Sequence, residues 1–291
     1  MNSRMKVIFD ENIANDTVIA WNITIPLFKE SLFSRDREER KKIIEGKIKD
    51  VLPYFIEEIE KEIEERVDEI YISLESAWVR YYVFKLDVIA SKNRYRFALN
   101  LLSPNSPIKS FKDHWKKALD VYEKLPRNIA KPIVVTDEFM LQEWVNGIPL
   151  SEFKEGDIIV DEESAKRCIS PVLRLLFKLN KLGYVYHPWE DYEVMLRAND
   201  IVLLDVTRLI RKRLSEEEFV DFYFGVPFCS PEIVKPKRVD TSVRLYWRGI
   251  SERDYFGTSK KEYIKLFLEG IKPVATEEEF KKICKGIEKW I

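Results

Sequence analysis

Short runs of β-branched and aromatic residues open the chain, with KVIF at 6–9 and TVIAWNITI at 17–25. Runs of this kind predict β-strands. A denser stretch over 69–103 predicts three consecutive strands, with turns near 75–78 and 91–93, because aromatic and β-branched residues favour a pleated surface. The first third of the chain therefore predicts a sheet.

An amphipathic helical segment separates these two groups of strands. Apolar residues recur every three to four positions between Ile43 and Val67, and the opposite face is rich in Glu, Lys and Arg. Pro53 lies inside the segment and predicts a split or kink into two helices. We expect a solvated charged face over an ordinary core stripe. The alternative is a helical extension that binds a partner, including a second copy of the chain in a homodimer.

Helices dominate the rest of the sequence. A helix is predicted from Phe111 to Leu125, and two strands follow it, PIVVT and EFMLQEWV, before a turn at Asn146-Gly147. From Glu162 the pattern is mainly helical. Capping boxes, in which a Ser or Thr precedes a Glu by three positions, predict three more helix starts, at Ser215, Ser259 and Thr276. Gly270 is expected to close the second of these helices.

These patterns predict an α+β fold in three segments. Residues 1–65 form an N-terminal extension of short strands and amphipathic helices, residues 66–146 a β-rich lobe, and residues 147–291 a helical lobe.

Composition narrows the classes of function. The 291 residues include 49 basic and 50 acidic ones, for a net charge of -1, which does not indicate a nucleic-acid partner. The three cysteines lack metal-ligand spacing, and no apolar run approaches the ~20 residues that span a bilayer. We therefore expect a cytoplasmic protein with no membrane segment. Charged residues make up 34%, mostly Lys, Arg and Glu, a balance that resembles that of hyperthermophile proteins.

Four segments in sequence order resemble a protein kinase of the eukaryotic-like or RIO type. EFMLQEWVNGIPL resembles the last strand of the small lobe and the hinge. LNKLGYVYHPWEDYEVML with DIVLLDVTR resembles the catalytic loop and the metal-binding turn. FGVPFCSPEIV resembles the end of an activation segment, and VDTSVRLYWRGI the buried helix that follows it. The resemblance covers residues 66–291 and implies a bilobal fold that binds ATP or ADP with Mg²⁺.

The resemblance also implies roles for individual residues. Glu143, Trp144 and Val145 fall at the hinge, where the family binds adenine through the backbone. Asn100 falls where the family has a lysine that holds the phosphates, and Asp205 where it has an aspartate that binds magnesium.

Several catalytic positions depart from the family pattern. Trp189 stands in place of the catalytic aspartate, Val194 in place of the asparagine for a second magnesium, and the 75–78 turn has no glycine. His187 is retained, although its role in the family is largely structural. Glu190 and Asp191 are candidates to take over a base or metal role, and otherwise they, with Glu193, are solvated loop acids.

The sequence therefore predicts a pseudokinase, which acts as a binding, scaffold or regulatory module with a protein partner and has weak or no phosphotransfer. The alternative is an active atypical Ser/Thr-type phosphotransferase that uses Asp205 with Glu190 or Asp191. A third hypothesis is an α+β interaction protein with only a superficial likeness to kinases.

Overall fold

The structure is a computed structural model that describes residues 5–15, 32–77, 80–155, 158–186, 193–206, 209–224 and 258–289. It is an α+β protein, as the sequence predicts. The chain divides into two compact units. Unit 1 comprises Met1–Asp120 and Ala130–Trp144, and unit 2 comprises Val121–Ile129 and Val145–Ile291.

The described residues form six α-helices and thirteen strands. The helices are α1 (Arg37–Ile63), α2 (Phe111–Lys124), α3 (Glu162–Lys181), α4 (Glu216–Tyr223), α5 (Lys260–Ile271) and α6 (Glu277–Glu288). The strands are β1 (Lys6–Phe9), β2 (Glu69–Ala77), β3 (Tyr81–Ala90), β4 (Asn93–Leu102), β5 (Pro132–Val135), β6 (Phe139–Glu143), β7 (Ile148–Pro149), β8 (Lys154–Glu155), β9 (Ile158–Ile159), β10 (Tyr184–Val185), β11 (Val194–Arg197), β12 (Asp200–Leu203) and β13 (Ile210–Arg211).

Unit 1 is built on a six-stranded mixed sheet with the order β1-β2-β3-β4-β6-β5. Strands β2, β3 and β4 form the antiparallel meander that the sequence predicts over 69–103. The KVIF run is β1, and it lies parallel to β2 at one edge. The second predicted run, TVIAWNITI, lies outside the described residues. Ser91 takes a left-handed conformation (φ 53°) in the tight β3–β4 turn.

One helix, not two, occupies the segment before β2, so the predicted split at Pro53 is wrong. Helix α1 runs through Pro53 for 27 residues and begins after Asp36, whose carboxylate accepts a hydrogen bond from the Glu39 backbone N–H. Pro53 lies on the exposed side of α1. The carbonyl that loses its helical partner there can face water, while the buried stripe on the other side holds the helix in place.

The core of unit 1 lies between α1 and one face of the sheet. Helix α1 contributes Ile44, Ile48, Phe55 and Ile59, each fully buried. The sheet contributes alternate residues of its strands, because successive side chains in a strand point to opposite faces. They include Ile70, Ile72, Tyr82, Phe84, Leu86, Val88, Phe97, Leu99, Leu101, Phe139 and Leu141.

Unit 2 is centred on α3, which packs closely against α5. A Cβ atom on Gly270 would lie 2.6 Å from the Ser170 backbone oxygen, so only glycine allows this approach. The Ser170 hydroxyl donates to the Leu266 carbonyl at 2.7 Å. Gly270 lies inside α5 and does not end it, so its predicted role as a cap is wrong.

The predicted helix starts at Ser215, Ser259 and Thr276 are confirmed. Full capping boxes form at Ser215 and Thr276, and the Ser259 hydroxyl accepts from the Glu262 backbone N–H. None of the helices in the described ranges is long and apolar enough to cross a membrane.

Candidate functional site

Asn100 is a buried amide in the centre of the unit 1 sheet. Strand β4 places it opposite Val83 of β3 and Met140 of β6, on the face that points away from α1. It is 2% exposed, and its Nδ2 donates to the Met140 carbonyl at 3.5 Å, the outer limit of a hydrogen bond. The resemblance implies a phosphate-binding lysine at this position. The side chain present is neutral, shorter and directed into its own sheet.

The β2–β3 connection lies at the end of the same sheet. The pairing of β2 with β3 shifts register between Leu74 and Ser76, and Ala77 opposes Tyr82. Trp78 and Val79 lie outside the described residues. Each residue from Glu75 to Ala77 carries a side chain, so the backbone here cannot approach a ligand as closely as a glycine-rich loop does.

Glu143 and Trp144 are tied to neighbouring strands. The Glu143 backbone N–H donates to the Lys131 carbonyl at 2.9 Å, and the Glu143 carboxylate accepts from the Lys131 N–H at 3.1 Å. The Trp144 N–H donates to the Arg96 carbonyl at 3.3 Å. The Lys85 ammonium lies 5.8 Å from the centre of the Trp144 ring, within cation–π range. Val145 is buried and belongs to unit 2.

Asp205 is a buried carboxylate in unit 2, two residues after β12. Strands β11 and β12 form an antiparallel hairpin in which Val194 opposes Leu203. Beyond that pair, the Leu204 N–H donates to the Glu193 carbonyl at 2.8 Å. Asp205 is 3% exposed and Glu193 is 8% exposed. The expectation that Glu193 is a solvated loop acid is therefore wrong, because the residue is buried next to the first pair of the hairpin.

The residues of the predicted catalytic loop, His187, Trp189, Glu190 and Asp191, lie outside the described residues. The chain just before them is fixed by Tyr223 of α4. Its hydroxyl donates to the Tyr186 carbonyl at 2.9 Å and accepts from the Tyr186 N–H at 3.3 Å. Burial raises the pKa of Tyr223, so it stays neutral and keeps both bonds at any physiological pH.

A metal site of three or more protein ligands does not occur within the ranges that the structure describes. No group of three His, Cys, Asp or Glu side chains comes together there. Asp205 and Glu193 have the oxygen chemistry that magnesium prefers. Two carboxylates without a lysine to hold the phosphates do not fit a nucleotide bound with magnesium.

Sequence reasoning missed Glu193, Tyr223 and Gln142. Gln142 lies two residues after Met140 in β6. It is 6% exposed, and its Oε1 is buried. The signal available for Gln142 was alternation within EFMLQEW, which places it on the same face of the sheet as Asn100. No sequence signal marked Tyr223 as the anchor of Tyr186, because that contact joins residues 37 positions apart.

The chain belongs to the same family as a protein of Archaeoglobus fulgidus described only as uncharacterized. The two are 44% identical over 297 residues, and the match covers 99% of each chain. No family model matches the sequence. Among solved structures, the Mycobacterium tuberculosis protein Rv3197 in complex with erythromycin is 13% identical, with a TM-score of 0.35. That match covers 68% of this chain and 59% of Rv3197.

Proposed function

We propose that this protein is a protein-kinase-like binding module, a pseudokinase that acts as a scaffold or regulatory partner of another protein with weak or no phosphotransfer. The observation that carries the proposal is the burial and hydrogen bonding of the Asn100 side chain. A buried neutral amide stands where a phosphate-binding cation is needed, and its donor is directed to Met140 of the neighbouring strand.

The neutral side chain of Asn100 removes a group that phosphoryl transfer needs. Catalysis of that reaction is almost entirely positioning and charge stabilisation, and a fixed cation on the phosphates is one of its recurring parts. An asparagine side chain supplies no charge, and at 2% exposure it cannot extend to a distant anion. Ser76 and Ala77, in place of glycines, remove a second source of phosphate contacts.

The order of elements in unit 1 supports the kinase-like class. After β1 and α1 come three antiparallel strands, β2 to β4, then helix α2, and then β5 and β6, which lead to Trp144. This is the order that the resemblance implies for a small lobe that ends at the hinge. Unit 2 then supplies the helix, loop and hairpin that end at Asp205.

An active atypical phosphotransferase is the second candidate. The observation that favours it is the burial of Asp205 at the open end of the β11–β12 hairpin, where Glu193 is also buried. Buried ionisable side chains often mark a functional site. In this candidate Asp205 acts with Glu190 or Asp191.

Nucleotide binding and turnover separate the two candidates. Thermal unfolding is measured with ATP and with ADP, in the presence and absence of Mg²⁺ or Mn²⁺, and phosphate transfer is followed with labelled ATP. A bound ligand at 100 times its dissociation constant stabilises by about 2.7 kcal/mol, which a melting curve resolves. The pseudokinase proposal expects no metal-dependent transfer.

A pair of isosteric variants makes the turnover result specific. Asp205→Asn removes the buried carboxylate, and Asp200→Asn makes the same change at the half-exposed start of β12. Metal-dependent transfer that Asp205→Asn abolishes and Asp200→Asn retains would overturn the pseudokinase proposal. If that activity then survives in a Glu190→Gln, Asp191→Asn double variant, the assignment of those two acids is refuted.

A homodimer through the N-terminal helices stays a prediction. The apolar stripe of α1 packs on its own sheet, so a dimer would use the charged outer face, where Tyr54 is 67% exposed. Light scattering over a range of concentrations tests it. A dimer that Tyr54→Arg dissociates is the expected result, and a monomer at every concentration rejects it.

A further inference from the structure

We infer that the face of the unit 1 sheet opposite α1 binds an uncharged, planar ligand whose edge carries an N–H donor beside a carbonyl acceptor. Gln142 and Asn100 are the residues that recognise this edge. The inference rests on the proposed binding function, because it names the class of ligand. It needs neither a metal nor a phosphate, so it is tested separately.

A row of side chains crosses this face of the sheet. The strand register places Ser73 of β2 opposite Lys85 of β3, Lys85 opposite Ala98 of β4, and Ala98 opposite Gln142 of β6. Asn100 lies in the next row, diagonal to Gln142, since it opposes Met140. Diagonal neighbours on adjacent strands are about 7–8 Å apart, a distance that one small ring can bridge.

Gln142 carries the inference because its amide oxygen is buried without a partner. The residue is 6% exposed, and Oε1 accepts no hydrogen bond from any residue in the described ranges. Native proteins rarely leave such an atom unsatisfied, because the loss of its hydration is not compensated. A ligand that donates an N–H to Oε1 supplies the missing bond.

Asn100 provides a second, under-used amide. Its one hydrogen bond within the described structure, to the Met140 carbonyl, is 3.5 Å long and therefore weak. A side-chain amide offers an acceptor and two donors. A ligand edge with a donor next to an acceptor, as in a lactam or a cyclic imide, is complementary to such groups whichever way each amide is turned.

The surroundings favour a flat, uncharged molecule. Ala98 lies between Lys85 and Gln142 in the row, and it has the smallest side chain of the three. Trp144 offers an aromatic ring beside the Lys85 ammonium, and Lys85 also pairs with Asp87 at 3.3 Å. The Lys85 ammonium already contacts the Asp87 carboxylate and the Trp144 ring, which weakens its attraction for an anionic ligand.

Helix α2 adds a donor on the same side of the sheet. The Phe111 ring lies 5.7 Å from the ring of Tyr81, which points to the same face as Lys85, so α2 lies over this face. One turn further along α2, Trp115 is 1% exposed, and its indole N–H is buried with no partner in the part of unit 1 that the structure describes. Within the described residues, the same side of the sheet thus holds a buried donor without a partner as well as a buried acceptor without one.

The chain offers an unusually direct test, because Gln142 is its only glutamine. Protein labelled with ¹⁵N at the glutamine side-chain amide gives one NH₂ signal, which reports on the site alone. The probe is uracil, a planar ring with N–H groups beside carbonyls, titrated to about 10 mM because so small a ligand binds weakly. The matched probe is 1,3-dimethyluracil, which has the same ring and carbonyls but no N–H.

The inference expects saturable shifts of the Gln142 signal with uracil and none with 1,3-dimethyluracil. No shift with uracil, or equal shifts with both compounds, overturns it. A Gln142→Met variant keeps the volume and removes the amide. The control is Leu141→Met, which also introduces a methionine of similar volume but on the α1 face, where no amide is lost. Uracil should raise the melting temperature of the native protein and of Leu141→Met, and its affinity for Gln142→Met should fall at least about tenfold.

Stabilisation of Gln142→Met by uracil to the native extent would show that uracil binds elsewhere, and would also reject the inference. If Gln142→Met fails to fold, the labelled native protein still decides the question. The test is independent of the proposed function. Metal-dependent phosphotransfer would reject the pseudokinase without changing the uracil result, and the absence of a uracil effect would leave the turnover result unchanged.

Discussion

The two faces of the unit 1 sheet both contain buried positions on β4 and β6, but those positions are occupied by different chemistry. On the α1 face, Leu99 packs among apolar side chains, and the rings of Phe55 and Phe139 meet edge to face at 6.4 Å. On the other face, the next residue, Asn100, and its neighbour Gln142 are buried amides with incomplete hydrogen bonding.

This difference separates residues that stabilise the fold from residues that do not. Burial of apolar surface stabilises by roughly 25 cal/mol per Å². A buried amide without full hydrogen bonding works against stability. Two such amides beside an apolar core break the rule that the rest of the sheet follows, and this supports the ligand site inferred above.

Arg40 is a polar residue that is buried on the α1 face with strong hydrogen bonds. It is 2% exposed, yet its guanidinium donates twice to the Ala14 carbonyl, at 2.9 and 2.7 Å, and once to the Ser34 carbonyl at 2.7 Å. Its hydrogen bonds are short and numerous, whereas those of Asn100 and Gln142 are not. Burial of a polar group is therefore not in itself the mark of a site.

The largest expected effect comes from placing a polar group on the apolar face. Leu99→Asn removes a fully buried side chain and buries an amide among apolar groups, and we expect the free energy of unfolding to fall by roughly 3–5 kcal/mol. Urea unfolding measures it. Leu119→Asn makes the same change at a position 36% exposed and should cost below about 1 kcal/mol. Equal losses at the two sites would contradict the assignment of Leu99 to the core.

Loss of the hydrogen bonds from the Arg40 guanidinium should cause the next largest fall in the free energy of unfolding. Arg40→Met keeps much of the length but leaves the Ala14 and Ser34 carbonyls without these donors, and we expect a loss of about 2–4 kcal/mol. Arg40→Lys keeps the charge but cannot donate to both carbonyls in the same planar geometry, so its loss should be intermediate. A Lys variant as stable as the native protein would show that charge alone matters here.

Alkaline pH should weaken the α1 face through Tyr82. Burial raises the pKa of Tyr82 to about 12, against the opposing effects of Arg40 and the Phe33 backbone. In the unfolded chain the phenol ionises near its ordinary pKa of about 10. Its contribution to stability is therefore complete below pH ~10 and is lost as the pH rises towards ~12.

The measurement is the unfolding free energy of the native protein and of Tyr82→Phe at two pH values. Between pH ~9 and pH ~11 the native protein should lose about 1.4 kcal/mol relative to the variant, which has no phenol to ionise. The comparison cancels the other tyrosines and lysines, because both proteins contain them. A constant difference across this range would mean that Tyr82 ionises equally in the folded and unfolded states.

Local patterns predicted the strands of unit 1 because β-branched and aromatic residues are dense there and Ser91 permits a tight turn. They did not predict the continuity of α1, because the effect of Pro53 depends on which side of the helix meets water. The parallel pairing of β1 with β2 was equally out of reach, since it joins residues 63 positions apart.

The chemical type of the site residues could be predicted from the sequence, but their burial could not. The sequence alone gives the neutral side chain at Asn100 and the acid at Asp205. It does not give the burial of Glu193, which depends on tertiary packing, or the unmatched oxygen of Gln142, which depends on neighbouring strands. Charged residues in a loop are usually exposed, and that general tendency led to the wrong expectation for Glu193.

The smallest expected effect comes from the exchange on the other face. Asn100→Leu replaces a poorly bonded amide by an apolar side chain of similar size at a position 2% exposed. The weak bond to Met140 is lost, but so is the cost of keeping an amide out of water. We expect the free energy of unfolding to stay the same or rise by up to about 1 kcal/mol. Urea unfolding of Asn100→Leu and Leu99→Asn under the same conditions compares this gain with the loss expected on the α1 face. A large loss in Asn100→Leu would show that the amide holds the sheet together, and the distinction between a stabilising face and a binding face would fail at this residue.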